Sequence, residues 1–427
     1  MSGKPKSLAA SFATVTTLFF TWGFITSVID PLIPSVRAVF SLNYTESMLT
    51  QFAFFLAYGV VSLPAGLIVA RLGYAGSIIF ALLAMLAGCL FVPVATYFDT
   101  YALVLVALFV IAGGITILQV AANPLTAALG KPEGSHFRLT FSQAFNSLGT
   151  VIGPFFGTMV MLRGGVFTGA AGAGAAALAA GRTQSLRNID TSFLIVAGLI
   201  LLLTAFIWLS RRRLSDAAPP AGDQAKTSLA SALRSPWAVF GAIAIFVYVG
   251  SEVSIASLMI NFLHQKDVLG ASLEQAGKLV SFYWLGAMVG RFGGSALLTR
   301  VAAHKLLSIV AVGAAALCLG VNQLHGPVVA AVVISIGLLN SIMFPTIFSL
   351  TLGRSMASTA ATSGLLCFAI VGGAVLPMAA GLIADSAGLH AAYLVPMVGY
   401  LCIALFALGV GRAPITHPET AAVGLAH

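Results

Sequence analysis

Twelve times between residues 11 and 411 the chain runs apolar for about the length that crosses a bilayer, roughly 20 residues per helix. The stretches lie at 11–39, 46–70, 75–96, 100–129, 139–162, 191–210, 236–264, 273–299, 305–324, 327–352, 357–384 and 390–411. Several run past 25 residues, which predicts tilted, curved or protruding helices. Only 8% of the residues are charged, against roughly 25% in soluble domains. The mean hydropathy of +1.02 leaves too little polar surface to coat a water-soluble globule of this size. A cytosolic enzyme and a disordered chain are thereby excluded. An outer-membrane barrel is disfavoured too, because its alternating strands would make the lumen-facing half polar. The expectation is an all-α polytopic membrane protein with twelve transmembrane helices.

Two segments need a decision. The first apolar stretch lacks a small-residue cleavage site and is too long for a signal-peptide core, so it reads as the first span. The Gly/Ala-rich piece Thr168–Gly181 has one Leu and no other large side chain, and reads as part of a loop. The four cysteines, Cys89, Cys318, Cys367 and Cys402, lie in four different spans with no metal-site spacing and read as buried thiols.

Charge placement orients the chain. With the N-terminus inside, fifteen Lys and Arg are cytoplasmic, and only Arg37, Arg163, Arg182, Arg187, Lys266 and Lys278 fall outside. Lys/Arg bias sets topology, so both termini are expected in the cytoplasm. The net charge of +9 then reports topology and anionic lipid rather than nucleic acid.

The segment from Arg211 to Pro236 changes character, with three arginines followed by Asp, two prolines, Gly, Asp and Lys. It divides the spans six and six. The expected organisation is an N-terminal bundle over 1–210, a cytoplasmic linker over 211–235, a C-terminal bundle over 236–412 and a cytoplasmic tail over 413–427. Two related six-helix bundles joined this way form the architecture of major facilitator transporters. Weak internal symmetry agrees. Asn123-Pro124 in the fourth span answers Asn340 and Pro345 in the tenth. Gly149, Gly153, Pro154 and Gly157 in the fifth answer Gly372, Gly373, Pro377 and Gly381 in the eleventh. Gly66, Arg71 and Gly73 in the second answer Gly290, Arg291 and Gly293 in the eighth. Small residues at four-residue spacing let helices approach closely, whether for static packing or for bundles that rock.

Ionisable groups inside a membrane are costly and by default mark a pathway, a relay or an ion site. Asp30 and Glu252 are the two acids well inside spans. Asp30 precedes Pro31 and Pro34, which remove donors from the helix. It suits a proton-exchanging carboxylate, or else a partner for Arg37 two turns on. Glu252 reads equally as an ion or substrate ligand and as a protonated acid bonded to a neighbouring helix. Uncharged amides accompany them: Gln119 and Asn123 share one face of the fourth span, Gln143 and Asn146 one face of the fifth. With Asn340 and Asn261 they offer both donors and acceptors. No Lys or Arg lies in mid-span beside them, which favours a neutral polyhydroxylated ligand. Trp22, Phe52, Phe55, Tyr58, Tyr283 and Trp284 add the flat aromatic faces that sugar sites combine with hydrogen-bonding edges. The competing reading is that amides bridge helices and aromatics pack.

Several strings carry a resemblance: TWGFITSVIDPLIP (Thr21–Pro34), LNYTESMLTQFAFFLAYGVVSLPAG (Leu42–Gly66), LQVAANP (Leu118–Pro124) and RLTFSQAFNSLGT (Arg138–Thr150) in the first half. In the second half, VGSEVSIASLMINFL, SFYWLGAMVGRFGGSALL and NSIMFPTIFSL continue it. Together they resemble the fucose–galactose–glucose:H+ symporter family of the major facilitator superfamily, strongly over the first 160 residues and moderately over 240–385. The resemblance implies the major facilitator fold and proton-coupled monosaccharide uptake by alternating access across a bacterial inner membrane, with no cofactor. It places proton and sugar coupling at the first-span acid, Asp30. The fucose branch has a glutamate where this chain has Gln119, and LQVAANP is similar to the glucose/galactose branch, so glucose or galactose is the expected substrate. Gln119, Asn123, Gln143, Asn146, Glu252, Asn261 and Asn340 would bond hydroxyls, with Tyr283 and Trp284 lining the ring. Three other readings stay open: sodium coupling through Glu252, a proton-coupled drug antiporter suggested by the Gly149–Gly157 pattern, and a sugar-sensing receptor that does not transport. An enzyme is disfavoured, since the spans hold no nucleophile–base pair and no metal-ligand set.

Overall fold

In lipid every backbone N–H and C=O must be satisfied within the segment, and helices do this. The computed structural model describes residues 5–129, 135–167, 175–217, 232–298, 300–357 and 359–414, and among them all regular structure is helical. We number the helices α1 (Pro5–Val39), α2 (Tyr44–Tyr97), α3 (Tyr101–Ala128), α4 (Ser135–Met161), α5 (Ala175–Ala217), α6 (Pro236–His264), α7 (Leu273–Leu298), α8 (Ala303–Gln323), α9 (Pro327–Asn340), α10 (Met343–Leu352), α11 (Thr359–Phe368), α12 (Gly372–Ala387), α13 (Leu389–Ala392) and α14 (Leu394–Val410).

Among the described residues, ten helical segments are long and apolar enough to cross a membrane. The other two expected spans are helical as well. Residues 44–63 form the first part of α2, and α7 is diluted by Glu274, Lys278 and Arg291. The expected second and third spans follow one another without a loop, meeting at Gly73, whose φ of 68° is open to glycine at little cost. The tenth span is split into α9 and α10 at Ser341–Ile342. The eleventh is split into α11 and α12 by a single 3-10 turn at Ala369–Val371.

The loop expectation for Thr168–Gly181 needs correction. Residues 168–174 lie outside the described residues, but 175–181 are the opening turns of α5. Ala is the strongest helix former, so an Ala run needs no large side chains to extend a helix that the following residues nucleate. At 43 residues α5 measures about 65 Å, roughly twice the hydrocarbon thickness, so those turns need no apolar face of their own. Residues 218–231 of the linker and 415–427 of the tail lie outside the described residues.

The chain groups into two units, one of residues 1–41 and 56–226, the other of 42–55 and 227–427. In the first unit α4 lies along α1 with almost no space between them. A Cβ on Gly149 would strike the Phe20 carbonyl oxygen and come within 2.6 Å of the Phe24 nitrogen. One on Gly153 would sit 2.7 Å from the Phe24 oxygen, and one on Gly157 2.5 Å from the Pro31 ring. The glycine stripe read from sequence is thus the seam between the first and fifth spans. In the second unit the seventh and eleventh spans meet the same way. A Cβ on Gly250 would lie 2.7 Å from the Gly372 oxygen, and one on Gly372 would strike the Phe246 oxygen. The same pair of spans is sealed by glycine in each half.

Also in the second unit, Asn43 and Glu46 form a capping box at the start of α2. The Asn43 N–H donates to the Glu46 carboxylate at 2.9 Å and the Glu46 N–H to the Asn43 side chain at 2.7 Å. The Asp385 carboxylate accepts from the Tyr44 and Thr45 N–H groups, each at 2.8 Å. These satisfy donors that a helix start leaves orphaned.

Leu202, Leu209 and Leu405 are among many large apolar side chains left exposed, as a lipid-facing surface requires. Cys89 and Cys318 are buried as expected, but Cys367 and Cys402 are exposed. An apolar span does not reveal which of its faces meets lipid, so the uniform buried-thiol reading fails for two of the four.

Candidate functional site

In the first unit, Asp30 lies on α1 at 4% exposure, one residue before the proline that packs on Gly157. The helix runs on to Val39 through Pro31 and Pro34. Neither ring can donate to the carbonyl four residues earlier, which are those of Ser27 and Asp30 itself. The two backbone carbonyls beside the first-span carboxylate thus lack their usual helical donors. Gln119, on α3, donates its amide to the Tyr58 hydroxyl at 2.9 Å. Tyr58 is buried at 7% exposure. Asn123 lies one turn further along α3 on the same face, and its buried Oδ1 has no hydrogen-bond partner. Leaving a buried polar atom without a partner costs about 1–3 kcal/mol, so this oxygen is available to a donor that arrives. Gln143 is half-buried on α4. Asn146 is buried and donates to the Phe19 carbonyl at 3.1 Å. That amide bridges α4 to α1, beside Gly23.

The second unit joins three of the expected residues in one network. Asn340 is the last residue of α9 and fully buried. Its amide donates to the hydroxyl of Tyr283, also fully buried, at 2.8 Å. The Tyr248 hydroxyl lies 3.1 Å from the Asn340 carbonyl oxygen and 2.8 Å from Glu252 Oε1. Trp284 is half-buried and stands edge-on to Tyr283 with ring centroids 5.2 Å apart. Tyr400 is buried within electrostatic range of Tyr248 and Tyr283. Arg291 is within electrostatic range of Glu252.

One constraint governs this network. A phenol carries a single proton, and Tyr248 faces two oxygens. With Glu252 ionised, both are pure acceptors and compete for it. A protonated Glu252 would keep one accepting oxygen and gain one donor, so it can bond the Tyr248 hydroxyl in either sense. The Tyr248 hydroxyl thus joins a mid-span acid to the backbone carbonyl of a residue at a helix break. Half-helix ends of this kind are where transporters place substrates and ions.

Asn261 falls outside that network. It is 6% exposed, and its Nδ2 has no hydrogen-bond partner. One turn earlier on α6, Ser257 accepts from the Gln51 amide at 2.9 Å.

Sequence reasoning passed over Tyr248. A lone Tyr in an apolar span carries no motif, although its spacing of four from Glu252 places the two on one helix face. Gln51 was missed for the same reason. Asp190, also unremarked, accepts from Thr96 at 2.6 Å.

Residues 15–362 match the family model of the Major Facilitator Superfamily. The chain is 44% identical over 405 residues to a Brucella abortus protein named glucose/galactose transporter, covering 94% of each. It is 31% identical over 418 residues to the L-fucose-proton symporter of Escherichia coli, covering 95% of this chain and 94% of that one. A solved structure of the E. coli fucose:proton symporter superposes with a TM-score of 0.69 at 28% identity, covering 95% of this chain and all of that one. The two-bundle, twelve-helix fold of this chain is thus the major facilitator fold, and the chain belongs to the Major Facilitator Superfamily and, within it, to the fucose–galactose–glucose:H+ symporter family.

Proposed function

We propose that this protein is a secondary active transporter that carries a monosaccharide, glucose or galactose, together with a proton by alternating access. The observation that carries the reading is the full-length similarity to a glucose/galactose transporter at 44% identity, joined by similarity to a fucose-proton symporter. The polar groups inside the spans support it. Most are amides and phenols beside Asp30 and Glu252, with Arg291 within range of Glu252, and the amides and phenols suit a neutral polyol.

Asp30 is the coupling group: its protonation changes sugar affinity, which is what symport requires thermodynamically. Gln119, Asn123, Gln143, Asn340 and Asn261 bond sugar hydroxyls, Tyr283 and Trp284 present ring faces, and Glu252 acts through Tyr248. Asn146 contributes by holding α4 to α1. The Gly149–Gly157 pattern, which also suggested a drug antiporter, is accounted for by that helix seam. The protein resides in a bacterial inner membrane with both termini cytoplasmic, as the positive-inside bias indicates.

The test is uptake into proteoliposomes across a series of hexoses, with proton and sodium gradients imposed separately. Glucose or galactose accumulating only with the proton gradient supports the reading. Accumulation driven by sodium alone, or counterflow of lipophilic cations and no hexose, overturns it.

A further inference from the structure

Three inter-helix turns of the second unit converge at one end of it. Asp267 follows α6, His325 lies between α8 and α9, and His390 belongs to the short α13. One ligand-capable atom from each lies within 4.8 Å of the other two. His390 Nε2 is 3.2 Å and His325 Nδ1 3.9 Å from the same Asp267 oxygen. Asp267 and His390 are 123 positions apart, so no spacing motif announces the group.

The orientation of His390 is informative. Its Nδ1 lies 2.7 Å from the Val321 carbonyl oxygen, which can only accept, so Nδ1 carries a proton. Its Nε2 faces a carboxylate oxygen, which as an anion also can only accept. A neutral imidazole has one N–H and cannot satisfy both. With Nδ1 held at the carbonyl, Nε2 is the ring nitrogen turned toward the carboxylate and the His325 ring. An imidazole whose far N–H is held by a backbone carbonyl is the arrangement in which metal-ligating histidines are found.

The surroundings fix the other parts. His390 has only 16% of its side chain exposed, and its ring meets Phe262 edge-on with centroids 4.8 Å apart. The Gly326 N–H donates to the Asp267 carbonyl at 2.7 Å, tying the Asp267 turn to the residue after His325. Around a tetrahedral zinc ion with bonds near 2.0–2.1 Å, ligand atoms stand about 3.3 Å apart. The separations here need only small side-chain rotations, and His325, 67% exposed, is free to make them.

We propose that Asp267, His325 and His390 form a binding site for a divalent transition-metal cation of the zinc type, with water completing the tetrahedron. The ion cross-links the turns after α6 and α8 to the short helix α13. The site is distinct from the sugar network and does not depend on the transport reading.

The test uses the full chain in detergent, stripped with a chelator and titrated with ZnCl2 by calorimetry, with CoCl2 as a spectroscopic substitute. The expected result is one zinc per chain, a raised unfolding temperature, and the visible absorption of tetrahedral cobalt. His325→Ala and Asp267→Asn change exposed side chains and should still fold. Each should weaken binding by at least the roughly 10–100-fold that loss of an outer-shell partner costs, and abolish the cobalt band. Wild-type protein that takes up no zinc, or either variant binding it as wild type does, overturns the site.

Discussion

The hydroxyl of Tyr248 stands 2.8 Å from a carboxylate oxygen of Glu252, one turn away on the same helix. The same hydroxyl reaches the Asn340 carbonyl, so one phenol serves both acceptors. Glu252→Gln supplies an amide donor in place of a protonated acid and keeps all three groups bonded. Its unfolding temperature should stay near wild type. Tyr248→Phe leaves the Asn340 carbonyl and Glu252 without their shared donor, and should lose about 1–3 kcal/mol. Thermal unfolding of the two variants side by side checks this; equal losses would remove the argument for a shared proton.

The paired glycine seams predict a graded response to one methyl group. Gly149→Ala and Gly372→Ala drive a Cβ into backbone oxygen, and should cost at or above the roughly 1–3 kcal/mol of ordinary overpacking. Gly198, on α5, has nothing within 4 Å of its would-be Cβ. Gly198→Ala should gain up to about 1 kcal/mol from helix propensity alone. Unfolding temperature and the fraction of monodisperse protein report both.

The Gln119 amide donates to the Tyr58 hydroxyl at 2.9 Å, so on the proposed reading Tyr58 helps to hold Gln119 in place. Tyr58→Phe removes the acceptor of the Gln119 amide and frees that side chain to rotate. A hydrogen bond of this kind is worth about 0.5–1.5 kcal/mol net, so KM for the hexose should rise roughly two- to tenfold with kcat little changed. Initial-rate uptake over a range of hexose concentrations separates the two; an unaltered KM would take Gln119 out of the binding set.

At one end of the first unit, Arg182 grips Asp99 through two N–H···O contacts of 2.7 and 2.6 Å and donates its Nε to the Val39 carbonyl at 2.9 Å. Both partners are more than a third exposed, where ion pairs contribute about 0.2–1 kcal/mol. Asp99→Asn should therefore lower stability by less than about 1 kcal/mol, and by less still in high salt. Denaturation at two ionic strengths measures it.

Much of this was legible in the sequence, for physical reasons. Bilayer thickness imposes a length on each span, so apolar runs mark helices even where Gly73 leaves no loop between two of them. Glycines four apart announce a close approach at Gly149, Gly153 and Gly157, though not that α1 is the partner. The amides at Gln119 and Asn340 stand out because polar groups are rare in spans, but periodicity does not separate a ligand from a bridge. Only the packing shows Asn146 spent on the Phe19 carbonyl while the Asn123 oxygen is left over. Tyr248, the bond from Gln119 to Tyr58 and the Asp267–His325–His390 group were illegible for a common reason. Their partners are brought together by tertiary contact, and nothing local marks the residue that will be met. The Ala run ahead of Arg182 misled for the opposite reason, since absence of bulk was read as absence of structure.

The proposed coupling group is Asp30, through which a proton gradient would drive sugar. Asp30→Asn, reconstituted in proteoliposomes, should still exchange labelled hexose across the membrane at equal concentrations. It should fail to accumulate hexose when an inward proton gradient is imposed. Uphill accumulation by Asp30→Asn at the wild-type level would contradict the account.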